Sequence, residues 1–126
     1  MSTLLVQELK GELRQVIRYN LNTRLHLAGF LPYLFIYNAP LGVFIFELIK
    51  DGVTILEKEF TSQDIKDALG TTSNYAHLFY PIISENPIQI EKGLYTLKIS
   101  SPDYVFSSNS YLGWGQQFED IQNLME

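Results

Sequence analysis

The pattern of hydrophobic and polar positions is clearest between Val43 and Phe60, where two alternating runs flank Lys50-Asp51-Gly52. Asp can hydrogen-bond the local backbone and Gly accepts the positive φ of a hairpin loop. The flanking Val, Phe, Ile, Leu and Thr suit a pleated, half-buried surface, so a β-hairpin is expected. With a three-residue loop closed by Gly52 and a bulge, Phe44, Phe46, Leu48, Leu56 and Phe60 share the core face. Val43, Ile45, Ile49, Val53 and Ile55 lie opposite, beside Glu47, Glu57 and Glu59, which leaves that face only half polar.

Upstream, residues 4–21 carry two periodicities. Leu5, Leu9, Leu13, Val16 and Ile17 form a helical stripe, while Leu13, Ile17, Tyr19 and Leu21 alternate with Glu12, Arg14, Arg18 and Asn20 as in a strand. The β pattern downstream favours a strand from Glu12 to Leu21, with residues 1–11 an arm or covering segment. From Arg24 to Tyr37 the chain is apolar on both parities, and Pro32 marks an edge or a break between two strands. Thr61 with Asp64 three residues on predicts a capped helix ended by Gly70, with Ile65, Ala68 and Leu69 buried. Tyr75 to Ile83 reads as one strand apolar on both faces, Ser84-Glu85-Asn86-Pro87 as a turn, and Ile88 to Ile90 as a short strand. Tyr95, Leu97 and Ile99 point inward in the next one; Tyr104 to Phe106 is short, and Tyr111 to Phe118 is last. Residues 119–126 read as a flexible tail. Eight or nine short strands, one helix and no βαβ rhythm predict a single all-β domain over residues 1–126, an antiparallel two-sheet sandwich.

Composition narrows the function classes. A chain of 126 residues with 46% hydrophobic and 18% charged residues folds around one good core. Cysteine is absent, which removes disulfides, thiolate nucleophiles and zinc-thiolate sites. The net charge of −5, with nine Lys and Arg that form no run, argues against nucleic acid and anionic membranes as partners. The apolar run from Leu25 to Ile36 is too short and too interrupted to span a membrane, and Glu8 follows Leu4-Leu5-Val6 too closely for a recognisable signal peptide. A cytoplasmic or virion-associated location is expected.

Gly93-Leu94-Tyr95-Thr96-Leu97-Lys98-Ile99, followed by Ser110-Tyr111-Leu112-Gly113-Trp114, resembles the late strands of jelly-roll domains of the carbohydrate-binding-module type, a type found also in virion and tail proteins of bacterial viruses. Gln15-Val16-Ile17, the loop at Pro40 and Gly42, and the Asp51-Gly52 hairpin suit the same layout over residues 12–118. The resemblance implies a jelly-roll-like sandwich that binds sugars through aromatic platforms or assembles with copies of itself.

Candidate chemistry is sparse. His26 and His77 sit in apolar runs without a partner at ligand spacing, so no metal site and no cofactor is expected. Glu57 and Glu59 read as surface charges rather than an acid–base pair, and no constellation joins a nucleophile or base to an orienting partner. Parity groups Trp114 with Leu112, Gln116 and Phe118, which argues for the core, and Tyr111 with Gly113, Gly115 and Gln117. The two glycines leave a trough beside Tyr111 that a neighbouring aromatic, a ligand or another subunit can fill. Candidate platform residues are therefore Tyr111, Trp114, Tyr75 and Gln117. Two-faced apolar strands call for internal cover or a second subunit. The sequence thus predicts a non-enzymatic structural or assembly module, of a phage or virion type, forming a homo-oligomer through Ile45, Ile49 and Ile55; the alternative is glycan binding at the aromatic platform.

Overall fold

The computed structural model describes residues 4–117, with side chains over 8–115. Its strands are β1 (Leu4–Glu8), β2 (Glu12–Tyr19), β3 (Leu25–Phe30), β4 (Tyr33–Tyr37), β5 (Phe44–Lys50), β6 (Val53–Phe60), β7 (Ala76–Phe79), β8 (Ile82–Ile90), β9 (Gly93–Ser100) and β10 (Tyr111–Gln117). One helix, α1 (Ser62–Leu69), lies between β6 and β7.

The pairings nest. β5 pairs β6, β4 pairs β7, β3 pairs β8, β2 pairs β9 and β1 pairs β10, all antiparallel, so the chain forms one long double-stranded ribbon. That ribbon is rolled until β10 meets β4 and β9 meets β5. The result is a sheet ordered β1-β10-β4-β7 facing a sheet ordered β2-β9-β5-β6, with β3-β8 as a two-stranded extension. This is an all-β, jelly-roll-like antiparallel sandwich with one short helix, as the strand pattern predicted.

Pro32 separates β3 from β4, and Pro81 separates β7 from β8. Neither proline can donate to a ladder. Their breaks lie at the same level of the ribbon, where the Tyr80 N–H donates to the Pro32 carbonyl at 2.9 Å. The ribbon bends there and passes from the first sheet into the β3-β8 extension. Each apolar run thus serves two sheets, and on the β4-β7 side of the corner its second parity, including Tyr37, Tyr75 and Phe79, lies on the outer face and not in a core. The run from Tyr75 to Ile83, expected as one strand, is corrected to two for this reason. Ser84-Glu85-Asn86-Pro87 does not end a strand either: the residues bulge out of β8, between the pairs Leu27↔Ile88 and Gly29↔Ile83.

The β5-β6 hairpin keeps the expected core face: Phe44, Phe46, Leu48 and Phe60 are buried. Its turn is shorter than expected. Lys50 pairs Val53 across two residues, Asp51 and Gly52, with φ of 52° and 77°, and the bulge lies instead at Ile55. The helix has the expected capping box between Thr61 and Asp64 and a left-handed Gly70. Its buried residues are Ser62 and Ile65; Ala68 and Leu69, expected inward, are exposed because only the N-terminal part of the helix rests on the body. The Ser62 hydroxyl donates to the Pro40 carbonyl at 2.6 Å. Residues 104–106 form no strand, and the buried Tyr104 instead donates to the Leu9 carbonyl at 2.9 Å. Residues 4–8, expected as an arm or cover, form the edge strand beside β10. The predicted tail at 119–126 lies outside the described residues.

Gly29 stands where the ribbon is tightest, since a Cβ there would lie 2.0 Å from the Ile82 carbonyl oxygen. Gly29→Ala is therefore expected to cost about 1–3 kcal/mol, as overpacking against backbone does. Urea unfolding checks this, and a midpoint equal to that of the parent would contradict the packing described.

Candidate functional site

The two sheets present unlike outer faces. On β2-β9-β5-β6, one row across the strands reads Arg14, Lys98, Glu47 and Glu57. Lys98 Nζ lies 3.7 Å from Glu12 Oε1 and 3.5 Å from Glu47 Oε1, Arg14 pairs with Glu12, and the Thr54 hydroxyl donates to Glu47 at 2.9 Å. The Arg14 guanidinium holds the Glu12 carboxyl below the usual carboxylate range. Ile45 flanks this row between Ser100 and Glu59, and Ile49 between Thr96 and Thr54, while Ile55 rides the bulge. Val16 and Leu94 are exposed on the same face. Of the three isoleucines singled out from sequence, Ile45 is thus separated from Ile49 by Glu47 and its ion pair.

The face of β1-β10-β4-β7 is different. β4, β7 and β10 contain no Asp, Glu, Lys or Arg. Their outward positions form three rows: Tyr111 opposite Tyr37, Gly113 opposite Phe35 and then His77, and Gly115 opposite Tyr33 and then Phe79. Tyr37 and Tyr111 stack with centroids 5.1 Å apart and planes 11° from parallel, and Tyr75 meets Tyr37 edge-on at 5.1 Å. Phe35 meets Tyr111 edge-on at 5.8 Å, and Tyr33 packs 5.1 Å from Phe79. The Tyr33 hydroxyl and His77 Nδ1 are 2.6 Å apart. At one border Phe106 packs on Tyr111, and the Lys10 ammonium lies 5.2 Å over the Phe106 ring. Tyr75 is 56% exposed, Phe79 54% and Tyr37 40%, so the cluster is a surface and not a second core.

Of the candidate platform residues, Tyr111 and Tyr75 come together on this face, bridged by Tyr37. Trp114 does not join them: it is 2% exposed and belongs to the core, as its parity with Leu112 indicated. The Gln117 backbone pairs with Leu4, and its side chain lies outside the described residues. The trough at Gly113 is filled by the Phe35 ring, whose nearest atoms lie 1.9 Å from where a Cβ would stand. Tyr33, Phe35, Tyr37, His77 and Phe79 were not among the candidates. Their signal was present in the period-two rows Tyr33-x-Phe35-x-Tyr37 and Tyr75-x-His77-x-Phe79.

The rings stand on the sheet and stack against one another, so they offer edges, hydroxyls and an imidazole more than free flat faces. Among the described residues no group of three His, Asp or Glu side chains is placed to hold a metal ion, and no helix is long and apolar enough to cross a membrane.

No family model and no curated protein matches the chain. Among solved structures it is similar to dimeric latent PorU from Porphyromonas gingivalis, at 12% identity and a TM-score of 0.30. That alignment covers 92% of this chain and 12% of the other, so the chain spans a small part of that protein's length.

Burial pushes the hydroxyls of Tyr80, Tyr104 and Tyr111 above the ordinary tyrosine value, with the nearby Glu8 carboxylate adding to the effect at Tyr111. The folded chain therefore keeps these protons at a pH where the unfolded chain releases them. The contribution of these tyrosines to stability is expected to be constant below about pH 10 and to fall above it as the unfolded tyrosines ionise. Urea midpoints measured across that window check the sign, and a midpoint that rises above pH 10 would contradict it.

Proposed function

We propose that this chain is a non-enzymatic assembly module that associates with a second copy of itself through the aromatic face of β4, β7 and β10. The observation that carries the reading is the absence of any charged residue from three adjacent strands whose outward rings are exposed or half-buried. A chain of net charge −5 repels its own copies overall, and these three strands add no charge to that repulsion. Interface centres are depleted of charge and enriched in Tyr and Phe, as this face is. A twofold interface needs one self-complementary patch, and edge-presenting rings interleaved with hydroxyls supply it. The location differs from the Ile45, Ile49 and Ile55 face, where ion pairs favour water.

A second reading, glycan binding, draws on the grouping of Tyr37, Tyr75 and Tyr111. It is weaker because the Tyr37 and Tyr111 rings already spend their flat faces on each other.

Light scattering coupled to size-exclusion chromatography over a range of concentrations tests the proposal. A dimer or larger species is expected, with Tyr37→Glu shifting the mass to monomer and Ile45→Lys leaving it unchanged. A monomer at every concentration would contradict self-association. Glycan-array binding lost on Tyr75→Ala would then favour the second reading.

A further inference from the structure

A cleft of about 640 Å³ opens between the two main sheets and the β3-β8 extension. Its floor is made by inward side chains of both sheets, among them Ile17, Phe46, Leu97 and Trp114. The opposite wall is β3 itself, every residue of which lines the cleft from Leu25 onward to Tyr33 in β4. The cleft exists because the ribbon leaves the first sheet at the Pro32–Tyr80 corner instead of closing down on β2.

Two properties select an occupant. No Asp, Glu, Lys or Arg lines the cleft, and its polar side chains are Gln15, His26 and Tyr33. These can hold a hydroxyl or ester, but none carries the fixed charge that a buried carboxylate or phosphate requires. Shape is the second. Six residues of β3 at the usual strand rise extend about 20 Å, so 640 Å³ spread along them gives a mean cross-section of about 32 Å². That is of the order needed for one extended alkyl chain. At the mouth Leu31 is 62% exposed and Ile83 61%, apolar side chains left in water where an entering chain would cover them.

We infer that this cleft is a binding site for a neutral single-chain amphiphile, of the fatty-alcohol or acyl-ester class, with its chain lying along β3. The site borders the aromatic face, with which it shares Tyr33, Phe79 and Gly115, but its floor and its β3 wall lie off that face.

Trp114 is the chain's one tryptophan and lies in the cleft floor, so it reports on occupancy. The probe is 1,6-diphenylhexatriene, a neutral rod-shaped fluorophore without fused rings, titrated at neutral pH against the full chain. Saturable quenching of Trp114 by one probe per chain is expected, with displacement by dodecanol. Displacement by laurate should be at least about tenfold weaker, because its carboxylate finds no counter-charge. Leu97→Phe, which fills the floor, and Leu31→Asp, which charges the exposed rim without touching the core, should each weaken binding at least about tenfold, whereas Tyr37→Glu should leave it intact. Absence of saturable quenching would overturn the inference. So would binding that Tyr37→Glu removes and Leu31→Asp spares, which would place the probe on the aromatic face, and so would laurate competing as well as dodecanol.

Discussion

Two prolines at one level of a paired ribbon set the shape of this molecule. At Pro32 and at Pro81 the ladder loses a donor, and the Tyr80–Pro32 hydrogen bond secures the bend that results. An unbroken ribbon would keep Leu25 to Tyr37 in a single sheet, with one parity inward and the other on the outer face. The bend divides each run between two sheets. It also leaves the β3-β8 extension standing away from β2, and so the cleft is a by-product of the corner.

The rest of the core follows from alternation. Leu13, Ile17 and Tyr19 from β2, Tyr95, Leu97 and Ile99 from β9, and Phe44, Phe46 and Leu48 from β5 meet Leu34, Ile36, Leu112 and Trp114 from the other sheet. Loops are tied to this core by specific polar contacts. Ser101 donates to the Val43 carbonyl at 2.6 Å, Asp103 accepts from the Val43 N–H at 3.1 Å, and Tyr104 reaches Leu9.

Much of this was legible in the residues. Alternation identified the hairpin and its core face, the capping box identified the helix, and parity assigned Trp114 to the core. What failed had nonlocal causes. Tyr75 to Ile83 looked like one strand because a corner and a two-faced strand give the same apolar run, although Pro81 carries the signal that Pro32 was credited with. The helix stripe at Ala68 and Leu69 followed helical spacing, but spacing cannot say how much of a helix rests on its neighbour. The trough at Gly113 was foreseen and its filling by Phe35 was not, because that contact depends on the β4-β10 register, which joins residues far apart in the chain. The aromatic face depends on three strands brought together by the roll, so its rows were visible only one strand at a time.

If the uncharged aromatic face, and not the isoleucine face, is where copies of this chain meet, the two faces must respond differently to concentration. Hydroxyl-radical footprinting at low and high protein concentration reads both faces in one experiment. The account predicts that Tyr37, Tyr75, Phe79 and Tyr111 lose reactivity as concentration rises while Ile45, Ile49 and Ile55 keep theirs. Protection confined to the isoleucines, with the four rings unchanged, would contradict it.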